Sequence, residues 1–363
     1  MSRKKFIAAG AALGLAATLL ATVPVANAEP VSDYAVVGSD TLQDVLNGLA
    51  NGTRITGSLV RSTAGDSAIG SYDATGTDLV QTKVNGPRFG RPNGSSDGQR
   101  APSRSIDGAP YKGATITGQV DIARSSSGAG TLSNPTGPLQ FIPFGRDALS
   151  YAHLGGNNAA FDNISQAQLK ALFECTATTI GGVTAVPVIP QAGSGTRSDF
   201  LAKINVTESN LGSCVRTGQE HDTSFLADGT TPFPTNGVTA MSAAQWVAQN
   251  TGAGIDRRGA DVKIGSPIAG VPAVNGSGAS AVPNPAFYAN STWGRDVYIV
   301  VENARITSGS ATYDAKLANL VGNATSKLGN NQSALPGQAG LVKQKFGFLA
   351  PSTTVPTRAN LRS

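Results

Sequence analysis

The sequence predicts an α/β protein of two lobes, on three observations. Twice, at 34–49 and at 186–204, a short apolar run passes through a glycine–hydroxyl turn into apolar residues at helical spacing. At 363 residues the chain is long enough for two separate cores. Twenty prolines, 44 glycines and many Ser/Thr clusters argue against a helical bundle and for a loop-rich α/β or β-rich architecture.

The first 28 residues stand apart from the fold. Arg3, Lys4 and Lys5 precede an apolar stretch from Phe6 to Val25, and Ala26-Asn27-Ala28 ends in a small-residue cleavage site before Glu29. That is the build of a signal peptide cut after Ala28. No cysteine follows it to take a lipid, and no second apolar run reaches the ~18 residues that span a bilayer. The expectation is an exported soluble protein, periplasmic if the cell has an outer membrane. Loss of Arg3, Lys4 and Lys5 leaves 25 basic residues against 23 acidic ones, so a general affinity for nucleic acid is not expected. In an exported chain the only two cysteines, Cys175 and Cys214, are expected to form one disulfide.

In chain order, Tyr34 to Val37 reads as a strand and Gly38-Ser39-Asp40-Thr41 as a turn. Leu42, Val45, Leu46 and Leu49 form a helical stripe, with Asp40 and Gln43 at capping-box spacing. Residues 51–118 are rich in Gly, Ser, Thr, Asp and Arg, with strand-like fragments at 58–60 and 68–69 and a hydroxyl turn at 94–98. Gln119 to Ala123 reads as a strand ending in Arg124-Ser125-Ser126-Ser127. Leu139 to Phe144 is another, followed by Gly145-Arg146-Asp147 and the apolar run 148–152. Ser165 and Gln168 have capping-box spacing ahead of Leu169, Leu172 and Phe173. Residues 205–235 and 265–292 read as loops, with a short helix from Met241 to Gln249 between them. Val297 to Val301 is a continuous apolar strand, 317–321 marks a helix, and 346–349 is strand-like.

The stretch Val186 to Ile204 carries the chemistry. Its strand ends at Pro190, and Gly193-Ser194-Gly195-Thr196-Arg197 opens the helix bearing Phe200, Leu201 and Ile204. The first N–H groups of a helix lack intrahelical partners and the dipole places about half a positive charge there. Glycines allow close approach of a ligand, while Ser194 and Thr196 add hydroxyl donors, so this turn is built to cradle an oxyanion. Four such turns, at 38–41, 94–98, 124–127 and 193–197, follow or flank the expected elements.

Val37-Gly38-Ser39-Asp40-Thr41-Leu42, Val120 to Ser126 and Gly193-Ser194-Gly195-Thr196 together resemble the phosphate-binding receptors of ABC transporters, of the type II periplasmic-binding-protein fold. Asn93-Gly94-Ser95-Ser96 and Ile164 to Glu174 add to the match in the same order. The resemblance implies two α/β lobes, joined by a pair of hinge strands, that close on a dehydrated oxyanion. It implies lobe I at 29–144 plus 293–363, an inserted lobe II at 145–292, and hinge strands near 139–144 and 297–301. Thr41, Leu42 and Ser95 would donate from one lobe, and Ser194, Gly195 and Thr196 from the other. The expected ligand is phosphate or a similar oxyanion, with an ABC permease as a partner, no cofactor or metal, and a monomeric chain.

Two positions depart from the family. An acidic residue that accepts the ligand's own proton is replaced by Ser126, and a basic residue four before the Gly-Ser-Gly serine is replaced by Pro190. Positive charge is expected instead from Arg124 or Arg197, since an arginine fork matches a tetrahedral oxyanion; each could equally be a surface ion pair. The departures keep open a surface or matrix protein that retains the fold without the ligand. A secreted serine hydrolase is the third reading, because Gly94-Ser95-Ser96-Asp97-Gly98 fits the nucleophile-elbow pattern. Pro92 and Pro102 argue against its strand–helix context, and neither His153 nor His221 is marked as a base. No His/Cys/Asp cluster has metal-ligand spacing. A binding protein, not an enzyme, is the expectation.

Overall fold

A computed structural model describes residues 31–224 and 233–363; the expected signal peptide lies outside them. Ten strands share one sheet. They are β1 (Tyr34–Gly38), β2 (Ile69–Ser71), β3 (Ile122–Ser125), β4 (Leu139–His153), β5 (Val186–Pro190), β6 (Arg216–Gly218), β7 (Gly237–Ser242), β8 (Lys263–Ile264), β9 (Gly294–Glu302) and β10 (Thr357–Ala359). The sheet order is β6-β5-β7-β4-β9-β3-β1-β2, with β8 and β10 also paired to β4.

The two ends of this sheet are parallel: β1 with β2 and β3, and β5 with β6 and β7. The middle is antiparallel, where β4 pairs β9 along 139–148, with a register shift between Val297 and Tyr298. Parallel strands send their following loops off one edge, the place where open α/β sheets take ligands. Thus the loops after β1 and β3 are neighbours in one half, and the loop after β5 serves the other half.

Each half has its own core. Leu149, Phe173, Val188, Phe200, Met241 and Phe287 belong to one cluster, and Val36, Leu46, Phe144, Val297, Ile299 and Phe346 to another. A third cluster on the first half holds Val37, Phe89, Tyr111 and Ile116. The clusters part between Phe144 and Ala148 on β4, and between Trp293, just ahead of β9, and Val297 on it. These two long strands run from one core into the other, and Ala244 and Ala248 of the second half also pack into the core of Phe144, in a two-lobed α/β fold.

Helices start and stop where local chemistry directs. α1 (Gln43–Asn51) buries Val45, Leu46 and Leu49, and ends at Gly52, whose φ of 91° favours glycine. The Asp40–Gln43 capping box does not form: no side chain caps this end, and Gln43 Oε1 instead accepts the Ala74 N–H. α3 (Gln166–Phe173) has the full Ser165–Gln168 box. α4 (Gly195–Lys203) is capped by Ser194, and α5 (Ala243–Thr251) by Ser242.

Elsewhere the sequence reading needs correction. The strand expected at 139–144 does not end at Phe144; β4 runs on through Gly145-Arg146-Asp147 for 15 residues in all, because β9 pairs it on through Arg295↔Asp147 and Gly294↔Ala148. Pro102 does not stop a helix: α2 (Ser95–Asp107) runs through it. Met241 lies within β7, which ends at Ser242, so the helix begins at Ala243. The segment 265–292 is not wholly a surface connection, as Phe287 and Tyr288 are fully buried in the second core. Phe346 to Leu349 follows α6 (Ala339–Lys345) as turn and bridge, not strand.

The Cys175–Cys214 disulfide is present, with Cα atoms 6.0 Å apart, tying the end of α3 to the loop before β6. Closing a loop with a sequence separation of 39 removes denatured-state entropy worth about 4 kcal/mol in the chain-entropy model. The Cys175→Ala/Cys214→Ala protein is therefore expected to unfold at markedly lower urea. An unchanged midpoint would show the crosslink to be thermodynamically silent.

Candidate functional site

Four loops meet between the two cores. β1 ends at Gly38, where a Cβ would lie 2.6 Å from the Arg124 carbonyl oxygen and 2.8 Å from Gly98 Cα. That close approach packs the first turn of α2 against the end of β1. Thr41 follows, fully buried. Ser95 opens α2 after Gly94 (φ 107°); its Oγ accepts the Ser126 N–H at 2.9 Å and lies 3.0 Å from Ser126 Oγ.

The other lobe supplies the start of α4. Ser194 Oγ accepts the Arg197 N–H at 3.0 Å, which leaves its own proton free to donate. Gly195 lies directly against the first lobe: a Cβ there would be 2.3 Å from Ser95 Oγ and 2.5 Å from Ser126 Oγ. Thr196 Oγ1 is 3.3 Å from Thr41 Oγ1. Ser96 donates its N–H to the Gly193 carbonyl at 3.2 Å, and Gln191 Nε2 donates to Asn93 Oδ1 at 2.7 Å. Thr41, Ser95, Ser126, Ser194, Gly195 and Thr196 thus share one closed junction. Leu42 stands beside them with its side chain in the first-lobe core.

Neither arginine named from sequence faces this junction. Arg124 is wholly buried, and its guanidinium is spent on structure: Nε on the Ser39 carbonyl, Nη1 on Ser71 Oγ, Nη2 on the Gly38 and Tyr72 carbonyls. Burial lowers its pKa to about 10. Arg197 makes a two-pronged pair with Glu208, at 2.7 and 2.6 Å, and a bond to the Pro190 carbonyl at 2.9 Å. It stitches the second lobe to itself.

The cation at the junction is Arg295, which the sequence reading missed. It sits on β9 directly opposite Asp147 on β4. Its Nε donates to Asp147 Oδ2 at 3.0 Å, and Nη2 reaches Thr196 Oγ1 at 3.0 Å and Thr41 Oγ1 at 3.5 Å. Nη1 has no hydrogen-bond partner, with Asp199 Oδ2 at 3.6 Å. Asp147 is held in turn by Ser242 Oγ and the Ala244 N–H on its other oxygen. A planar guanidinium fixed by one carboxylate presents its remaining N–H bonds in a set direction.

Three acid–base groups lie alongside. Glu220, fully buried, accepts the Thr41 hydroxyl on Oε1 at 3.1 Å, and its Oε2 has no partner. Burial, then the nearby Glu220 charge, pushes the Asp40 carboxyl well above the usual carboxylate range. Burial, then Arg295 and Arg257, holds His221 well below the ordinary histidine range, so it is neutral at pH 7. Neither Ser95 nor Ser96 has a histidine partner; Ser96 Oγ accepts from Arg362. Among the described residues no group of His, Cys, Asp and Glu has metal-holding geometry, and no helix is long and apolar enough to cross a membrane.

No protein-family model and no curated protein matches this sequence. Among solved structures the chain is similar to an ABC-type phosphate transport receptor from Vibrio cholerae. The two share 14% identity over 88% of this chain and all of that one, with a TM-score of 0.52. A human phosphate-binding apolipoprotein is 16% identical over 88% of this chain and 92% of that one, with a TM-score of 0.47. The likeness to the Vibrio receptor establishes the fold as that of the two-lobed phosphate receptors.

Proposed function

We propose that this protein captures an inorganic oxyanion, phosphate first, between its two lobes and does no chemistry on it. One observation carries the reading. Hydroxyls from opposite lobes, Thr41 and Thr196, meet within 3.3 Å under a buried arginine aimed at both. Ser95, Ser126, Ser194 and Gly195 lie at the same junction. Hydroxyls, helix starts and a desolvated guanidinium together are what a tetrahedral anion requires once water is excluded.

In this reading residues 145–292 form the inserted lobe, and the lobes part about β4 and β9 to admit the ion. Gly195 must lift away from Ser95 and Ser126, since between them a tetrahedral ion has no room in the closed form. Export fits a receptor that delivers its ion to an ABC permease or is freely released, with the chain acting as a monomer. Titration calorimetry of the mature protein with phosphate, sulfate and buffer alone tests the function. A one-site isotherm with phosphate supports it; heat with neither ion removes it and leaves a fold that has lost its ligand.

A further inference from the structure

We propose that Glu220 is an internal anion of the cleft, a tethered carboxylate that holds the Thr41 hydroxyl and competes with an incoming oxyanion for it. This rests on the oxyanion reading above and adds a resident competitor to it.

A threonine hydroxyl has one proton to give. Thr41 gives it to Glu220 Oε1 at 3.1 Å. Its remaining neighbours, Thr196 Oγ1 and Arg295 Nη2, are both able to donate to it. While Glu220 is in place, then, Thr41 cannot donate to a ligand. The position of Glu220 follows from its backbone, not from chance: its N–H donates to Gln191 Oε1 at 2.8 Å. The Nε2 of the same Gln191 amide crosses to Asn93 of the first lobe. The carboxylate is therefore delivered to Thr41 by the same contact that fastens the lobes together.

The charge balance points the same way. Arg295 is already matched by Asp147. The further cation near this corner, Arg257, lies 3.8 Å from Asp44. An arriving oxyanion would thus share a dry junction with a second full negative charge, and like charges repel strongly where water is excluded. Opening the lobes breaks the Gln191–Asn93 contact and lets Glu220 withdraw. Closing on an ion must leave it displaced.

Calorimetric titration of wild type, Glu220→Ala and Glu220→Gln with phosphate and with sulfate at one pH tests this. Circular dichroism checks that each variant is folded, and the glutamine variant keeps the volume. Relief of a competitor does not depend on which ion enters. Both ions are expected to bind at least tenfold more tightly to Glu220→Ala, and severalfold more tightly to Glu220→Gln. Phosphate binding unchanged or weakened in both variants, with the wild type binding measurably, would overturn the competitor and leave the receptor reading standing. Phosphate weakened while sulfate is gained would also overturn it, by showing that the carboxylate accepts the ligand's own proton. Binding by none of the three proteins would remove the oxyanion reading and the competitor together.

Discussion

Replacing Arg295 by alanine is expected to weaken phosphate binding by at least a hundredfold, the largest single loss any cleft residue should produce. Among the described residues its guanidinium is the one cation bonded to hydroxyls of both lobes. A charge-assisted bond to an anion contributes about 1.5–3 kcal/mol, and more when desolvated. The same change strands Asp147, which is fully buried, and breaking a buried pair in this way costs about 3–5 kcal/mol of stability. Arg295→Met/Asp147→Asn separates the two effects: the double variant should regain most of the lost stability in urea and still fail to bind. Arg295→Lys keeps the charge but loses the fork, and should bind with intermediate affinity. A folded Arg295→Ala protein that takes phosphate like the wild type would falsify the assignment of this arginine to the anion.

Lys343→Ala should cost about 3 kcal/mol of stability without altering the cleft. Lys343, on α6, is wholly buried; its Nζ donates to the Phe144 carbonyl at 2.9 Å, the Leu328 carbonyl at 2.7 Å and Asn331 Oδ1 at 3.0 Å. It also lies 3.9 Å above the Phe144 ring. Burial pushes its pKa well below that of a free lysine. Three oxygens nonetheless match the three N–H bonds of an ammonium, and we take the group as charged at neutral pH. Alanine would leave these acceptors bare and open a cavity, each a penalty of about 1–3 kcal/mol. Methionine would fill the space and still leave the oxygens unpaired, so it should recover only part. Urea midpoints that coincide for wild type and both variants would show that the buried ammonium contributes nothing net.

Much of the cleft was legible in sequence because its donors sit in local signals. Strand, glycine turn and helix start announce Thr41 and Ser194–Thr196, since an apolar run, a φ that glycine tolerates and a 3.6-residue stripe are all short-range properties. Ser95 and Ser126 were legible as hydroxyl turns, and the structure places them side by side. Arg295 was not, because it lies just ahead of the apolar stretch 297–301, and only pairing with Asp147 extends the strand back to it. Glu220 follows a three-residue strand in a stretch without periodicity, so nothing local distinguishes it from a surface acid. Arg124 and Arg197 misled for the opposite reason: adjacency in sequence to a hydroxyl turn says nothing of which side of the strand or helix the guanidinium leaves from. Pairing across a sheet is a long-range fact, and charge placement in this protein depends on it.

The pairing of Arg295 with Asp147 has a mechanical consequence. Both residues lie on the two-strand ribbon that runs between the cores, close to the register shift between Val297 and Tyr298. When two bodies swing on a shared ribbon, points on the pivot travel least. In the receptor proposed above, the guanidinium would therefore keep its place and its aim whether the jaws are wide or shut, while the hydroxyls of Thr41 and Thr196 would sweep in from either side. For such a receptor, attraction would come first from a stationary charge, and shape-matched donors would arrive afterwards.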